Sequence, residues 1–155
     1  MPISSGISAP DFSLADEKGT IRSLSEFRGR PVILYFYPKD DTPGCTTEAC
    51  NFRDDYSQYE KAGVIILGVS PDSSSSHAKF KAKYGLPFSL LADTDHKVCE
   101  LYEVWGKKKN YGREYMGVFR TTYLIDEQGK ILHVFENVKP AGHSSEILAE
   151  LNLSR

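Results

Sequence analysis

Long apolar runs are missing from this 155-residue chain. The longest, Val32 to Tyr37, is far too short to cross a bilayer. An excess of positive charge is missing as well. The chain has 19 lysines and arginines against 21 acids, a formal charge of −2, so nothing marks a nucleic-acid binder. Lys107-Lys108-Lys109 is the only basic cluster and reads as a solvated loop, because a binding segment usually carries a longer basic block. The histidines His77, His96, His133 and His143 are scattered, and no His-x-x-x-His or Cys-x-x-Cys pair supplies metal ligands. Each reads as a surface or hydrogen-bonded histidine. The missing Cys-x-x-Cys also argues against a dithiol oxidoreductase. No glycine-rich phosphate loop is present, so no nucleotide cofactor is expected. Residues 1–10 have neither a basic nor an apolar region, which leaves a cytoplasmic location as the expectation. In that compartment three cysteines are catalytic, redox-active or merely buried, rather than a disulfide framework.

What remains is an ordinary globular composition. The length fits one domain over 1–155 with a single substantial core. Phe12-Ser13-Leu14 and Thr20-Ile21-Arg22 flank the turn Asp16-Glu17-Lys18-Gly19 as a hairpin. Val32 to Tyr37 is a run of β-formers ending at Pro38, the pattern of a central strand buried on both faces. A helix follows over 43–62 with Gly63 as its stop, then a strand at Val64 to Val69. Ser73 to Ser76 reads as a loop into a helix from His77 to Tyr84. A short strand at Ser89 to Ala92 precedes a helix from about Asp95 to Tyr102. Val118 to Ile125 and Lys130 to Phe135 form an antiparallel hairpin, and Ser144 to Leu153 a last helix. Strand-helix alternation closed by a hairpin and a helix predicts an α/β sandwich with a mixed sheet. A thioredoxin-like fold has that order.

The segment Pro38-Lys39-Asp40-Asp41-Thr42-Pro43-Gly44-Cys45-Thr46-Thr47-Glu48-Ala49-Cys50 sits where a buried strand ends and a helix begins, the usual ligand crevice of an α/β sheet. Thr42 is a favoured N-cap type, and Pro43 suits the first helical position. Gly44 and Cys45 then fall in the first turn, whose backbone N–H groups have no intrahelical partner. A thiolate there meets free donors and the positive end of the helix dipole. Cys45 is therefore a candidate nucleophile, with a buried, inert cysteine as the alternative.

Pro38-x-x-x-Thr42-x-x-Cys45 resembles the active-site motif of the peroxiredoxins. The likeness extends through Ala9-Pro10-Asp11-Phe12, Tyr102-x-Val104-Trp105-Gly106 and Gly117-Val118-Phe119-Arg120-Thr121-Thr122-Tyr123-Leu124-Ile125-Asp126, covering about Ile3 to Leu153. It points to the bacterioferritin-comigratory, or peroxiredoxin Q, branch and implies a thiol peroxidase. Cys45 would attack a peroxide oxygen and become a sulfenic acid. Thr42 would hydrogen-bond the peroxide, Arg120 would hold thiolate and peroxide oxygens, and Pro38 would shield the thiolate. Thr42, Gly44, Cys45 and Arg120 make up the implied peroxide-binding set. Each has a plainer alternative: Thr42 a helix cap or loop closure, Pro38 a strand terminator, Arg120 a snorkelling strand residue. Glu48, one turn beyond Cys45, either supports an arginine near the site or is a solvated acid.

Within the same resemblance, Cys50 is the implied resolving cysteine. On an ideal helix the Cα atoms of Cys45 and Cys50 lie roughly 8.6 Å apart, beyond the ~7 Å limit for an unstrained disulfide. The bond would require the first turns to unwind. Other members of the branch keep the resolving cysteine near the positions of Lys83 and Tyr84, and neither is a cysteine here. Cys99, among apolar residues three and four apart, reads as a core residue. Electrons would come from thioredoxin, with glutaredoxin a second candidate. Both hydrogen peroxide and organic hydroperoxides stay open as substrates, and a monomer is implied. The alternative of another class is a redox-controlled binding protein whose helix 43–62 melts on oxidation. Turnover with a reductant separates the two.

Overall fold

The computed structural model describes residues 2–151. Its first hairpin pairs β1 (Ser13–Ala15) with β2 (Ile21–Ser23). Asp16 Oδ1 closes the turn by accepting the backbone N–H groups of Lys18 and Thr20. A 3-10 turn (Leu24–Phe27) leads into β3 (Val32–Phe36), all of whose residues are buried. The strand's period of two sends Ile33 and Tyr35 into one core and Val32, Leu34 and Phe36 into the other. The β-branched and aromatic run therefore belongs at the centre of a sheet covered on both faces.

After β3 come α1 (Pro43–Asp54), α2 (Tyr56–Lys61), β4 (Ile65–Ser70), α3 (Ser74–Tyr84) and β5 (Ser89–Ala92). They are followed by α4 (Lys97–Leu101), β6 (Trp105–Asn110), β7 (Arg113–Val118), β8 (Thr121–Ile125), β9 (Ile131–Phe135) and α5 (His143–Glu150). Among the described residues seven strands form one mixed sheet in the order β2-β1-β5-β4-β3-β8-β9. β3, β4 and β5 run parallel, while β8 lies antiparallel to β3. Residues of α1, α2, α3 and α5 (Phe52, Tyr59, Phe80 and Ile147) pack into the core on one face. Val98 and Cys99 of α4 pack into the other, with Phe12 from the N-terminal segment. This is the expected thioredoxin-like α/β sandwich with an N-terminal hairpin. Among the described residues no helix is long and apolar enough to cross a membrane.

Four details differ from the expectation, and each has a structural cause. The helix expected over 43–62 is two, broken at Asp55 (φ −95°, ψ 4°), whose carboxylate accepts the Ser144 hydroxyl of α5. The strand expected over Val118–Ile125 breaks at Phe119 and Arg120, because β7 pairs with β6 while β8 pairs with β3 and β9. Phe119 N–H donates to the Val104 carbonyl and Val138 N–H to that of Arg120, so the corner is held from both sides. Arg120 thus projects from a corner and not from a strand. Lys107, Lys108 and Lys109 lie in β6, not in a loop; Lys107 and Lys109 face Glu114 across the ribbon, at 3.5 and 3.7 Å. Finally, Ser74 to Ser76 already belong to α3, because the Ser73 hydroxyl caps it by accepting the Ser76 N–H. Of the last expected helix, residues 152 and 153 lie outside the described residues.

Candidate active site

The junction of β3 and α1 carries the expected chemistry. After the buried strand the chain passes through half-buried Pro38 to Asp40, which is buried, and then to Asp41 in the left-handed region (φ 53°). Thr42 stands at the N-cap position with extended backbone, yet its side chain makes no cap. Its hydroxyl donates instead to the Lys39 carbonyl at 3.0 Å, closing the loop. Of the roles open to Thr42, loop closure is thus observed and side-chain capping is not. Pro43 occupies the first helical turn, where its missing N–H is no loss.

Cys45 follows in that turn with 1% of its surface exposed. Arg120, reaching over from the corner between β7 and β8, donates from Nη2 to the Cys45 Sγ at 3.1 Å. The same guanidinium donates from Nη1 to Glu48 Oε1 at 3.2 Å. One planar side chain therefore bridges a sulfur and a carboxylate one helical turn apart, a use suited to arginine's fixed fork of donors. Gly44 makes room for it: a Cβ there would lie 2.8 Å from Arg120 Nη2 and 3.4 Å from Pro140 Cγ. Arg120 is no surface snorkeller and Glu48 no solvated acid. The Glu48 side chain is 1% exposed, and burial pushes its carboxyl up to about 7, with Arg120 pulling the other way.

The three thiols are free and differ in setting. Cys50 is half-buried on α1, five residues from Cys45. Cys99 is buried in the opposite core, and burial, reinforced by the Asp93 carboxylate, pushes its thiol well above the ordinary range. A low-lying thiolate has no support there.

Two features were not legible from composition or spacing. Lys108 donates from Nζ to the Val118 carbonyl at 2.9 Å and lies 5.9 Å from the centre of the Phe119 ring, bracing the corner that projects Arg120. Burial holds its ammonium below the ordinary lysine value, with Arg120 adding to the effect and Cys45 opposing it. The second feature is the loop's anchorage: the Asp40 carboxylate accepts the Tyr37 hydroxyl at 2.6 Å and the Ser76 hydroxyl at 2.8 Å, and its backbone N–H donates to Asp72 at 2.8 Å. Asp41 meets Lys83 and Tyr84 of α3.

A buried sulfur at a helix N-terminus, held by a guanidinium that a buried acid orients, can present an anion and stabilise charge moving from it to a bound oxygen. The profile of the AhpC/TSA family matches residues 6–134. A putative peroxiredoxin bcp of Coxiella burnetii is 53% identical over 151 residues, 97% of this chain and 100% of that protein. Peroxiredoxin Bcp of Bacillus subtilis is 48% identical, over 97% of this chain and 96% of its own. Among solved structures, Xanthomonas campestris bacterioferritin comigratory protein, studied for alkyl peroxide reduction in trapped intermediate and ligand complexes, superposes with a TM-score of 0.89. It is 38% identical, and the match covers 96% of this chain and 98% of that one. A cysteine-to-serine mutant of Xylella fastidiosa PrxQ gives a TM-score of 0.93 at 34% identity, over 98% and 97% of the two chains.

Proposed function

Because this chain belongs to the AhpC/TSA family, as a peroxiredoxin of the Bcp or PrxQ type, we propose that it reduces peroxides through Cys45 and resolves the product through Cys50. Thiol peroxidase activity follows from the family; the residue roles rest on the geometry of the site. The observation that carries them is the Arg120 guanidinium set 3.1 Å from the Cys45 sulfur by a 3.2 Å ion pair to Glu48.

In the first step the Cys45 thiolate attacks one peroxide oxygen along the O–O axis. The S–O bond forms as the O–O bond breaks, and the other oxygen leaves as water or an alcohol after taking up a proton. Charge moves from sulfur to the leaving oxygen, and donors already in place along that path lower the barrier. Arg120 and the first-turn N–H groups of Gly44 and Cys45 serve the sulfur end, and the Thr42 hydroxyl serves the oxygens. Thr42 now donates to the Lys39 carbonyl, so it would turn from closing the loop to binding peroxide. Half-buried Pro38 keeps bulk water from the sulfur.

In the second step the Cys50 thiolate attacks the Cys45 sulfenic acid. A disulfide forms, and the hydroxyl leaves as water. Both cysteines lie within the regular helix Pro43–Asp54, where an ideal geometry holds their Cα atoms roughly 8.6 Å apart, so α1 must open. Ala49 and Phe52, both fully buried, anchor the later turns of this helix in the core; the opening therefore falls in its first turns, where Cys45 and Glu48 must give up their contacts with Arg120. Thioredoxin, or glutaredoxin, then reduces the disulfide. A cytoplasmic, monomeric enzyme acting on hydrogen peroxide and organic hydroperoxides completes the reading.

Peroxide consumption with thioredoxin as reductant tests it. Cys45→Ser abolishes turnover, Cys50→Ser blocks it after one equivalent, and Cys99→Ser leaves it intact. Full turnover by Cys45→Ser would overturn the assignment. A chain that reacts once and is not recycled would be the redox-controlled binding protein.

A further inference from the structure

The loop that carries Pro38 and Thr42 is held by a buried group that the chemistry above does not use. Asp40 Oδ2 lies 2.7 Å from His77 Nδ1, and His77 Nε2 lies 2.9 Å from the Leu91 carbonyl oxygen. The His77 side chain is 0% exposed and that of Asp40 4%. A carbonyl oxygen only accepts, so Nε2 carries a hydrogen. The contact at 2.7 Å between Nδ1 and a carboxylate oxygen then needs a second proton, since two lone pairs would otherwise meet there. On whichever atom that proton sits, the pair carries no net charge, which suits complete burial.

From this geometry we propose that Asp40 and His77 are positioning residues for peroxide reduction, sharing one buried proton that fixes the 38–42 loop against α3 and β5. The proposal rests on Cys45 being the peroxide-reactive thiol. Three groups converge on the Asp40 carboxylate: the Tyr37 hydroxyl from the end of β3 and the Ser76 hydroxyl from α3 donate to it, and His77 of α3 shares its proton with it. Its backbone N–H is held by Asp72, which in turn accepts the Ser70 hydroxyl at the end of β4. Asp40 is thereby fixed from β3, β4 and α3, and through His77 from β5. Two residues later stands Thr42, reached through the left-handed step at Asp41. A network satisfied at every donor is rigid, and removing one member leaves buried polar groups unpaired. The loop would then lose its register, and the Thr42 hydroxyl with it.

The test separates positioning from general support. Cys45 is oxidised by hydrogen peroxide in a stopped-flow instrument and, separately, alkylated by iodoacetamide, a reaction that needs the sulfur but not the loop's hydroxyl. Asp40→Ala and His77→Ala should each slow peroxide oxidation by about 10- to 100-fold, the usual cost of a small misplacement of reacting groups, with alkylation no slower than in wild type. Asp40→Asn should restore most of the peroxide rate, because its amide brings its own N–H to His77 Nδ1 and needs no shared proton. An unchanged peroxide rate in His77→Ala would overturn the proposal, as would equal slowing of both reactions, which marks a merely structural residue. Failure of Asp40→Asn to rescue would overturn the shared proton. Should His77→Ala not fold, Ser76→Ala removes only the outer donor, and the same split between the two reactions is expected in smaller measure. Continued peroxide consumption by Cys45→Ser would instead mark failure of the underlying reading.

Discussion

Replacing Glu48 by glutamine removes an acid whose burial and ion pair pull in opposite directions, and the protein's pH profile reports which wins. The side chain is 1% exposed and lies 3.2 Å from Arg120. Burial outweighs the arginine and raises the carboxyl from 4.5 to about 7. The unfolded chain therefore loses this proton first as pH rises. Between about 4.5 and 7 the folded state binds more protons than the unfolded one, and stability falls with pH. The contribution is complete below 4.5 and lost once pH passes about 7. At about 1.4 kcal/mol per tenfold change in proton affinity, the rise amounts to about 3 kcal/mol. Glutamine keeps the shape and an acceptor for Arg120 but does not titrate. Urea unfolding of both proteins at pH 4 and pH 8, in a Cys45→Ser background that keeps the thiol out of the comparison, isolates the effect. Wild type should lose about 3 kcal/mol relative to Glu48→Gln between the two pH values, roughly 6–12 °C in Tm. Parallel profiles would refute the reasoning, and wild type gaining with pH would show that the ion pair prevails over burial.

Gly44→Ala places a methyl 2.8 Å from Arg120 Nη2; the guanidinium must move off the sulfur, and stopped-flow peroxide oxidation of Cys45 should slow by about 10- to 100-fold. Stability should hold in the same variant, because alanine is the better helix former. Tyr35→Phe removes a buried hydroxyl with no hydrogen-bond partner among the described residues and should raise stability in urea by about 1–3 kcal/mol; a less stable variant would mean the hydroxyl has a partner in solution. Cys50→Ser should leave Cys45 as a sulfenic acid that a dione reagent traps after one equivalent of peroxide, whereas a disulfide to Cys99 would contradict Cys50 as the resolving residue.

The strands were legible where burial is two-sided, as in Val32–Phe36, because a β-branched and aromatic run bounded by proline has few other ways to fold. The start of α1 was legible from Thr42 and Pro43, which mark a helix by local stereochemistry. The breaks were not. Asp55 and the corner at Phe119–Arg120 are set by partners far along the chain, Ser144 for one and Val104 and Val138 for the other. Within the site, Cys45 and Thr42 were singled out by a motif and Arg120 by the wider resemblance, but the depth of Glu48 came only from the packing of α1. His77 looked like any scattered histidine, since its partner lies 37 positions away. Local chemistry is written in local sequence; second contacts depend on the fold.

Cys45 and Cys50 as the redox pair, joined when α1 opens, form the central claim. The reduced protein would be treated with one equivalent of hydrogen peroxide, its remaining thiols blocked, and its cysteines mapped by peptide mass spectrometry. The predicted product is a disulfide between Cys45 and Cys50 with Cys99 still free. A bond from Cys45 to Cys99, or three thiols left free after seconds of exposure, would contradict it.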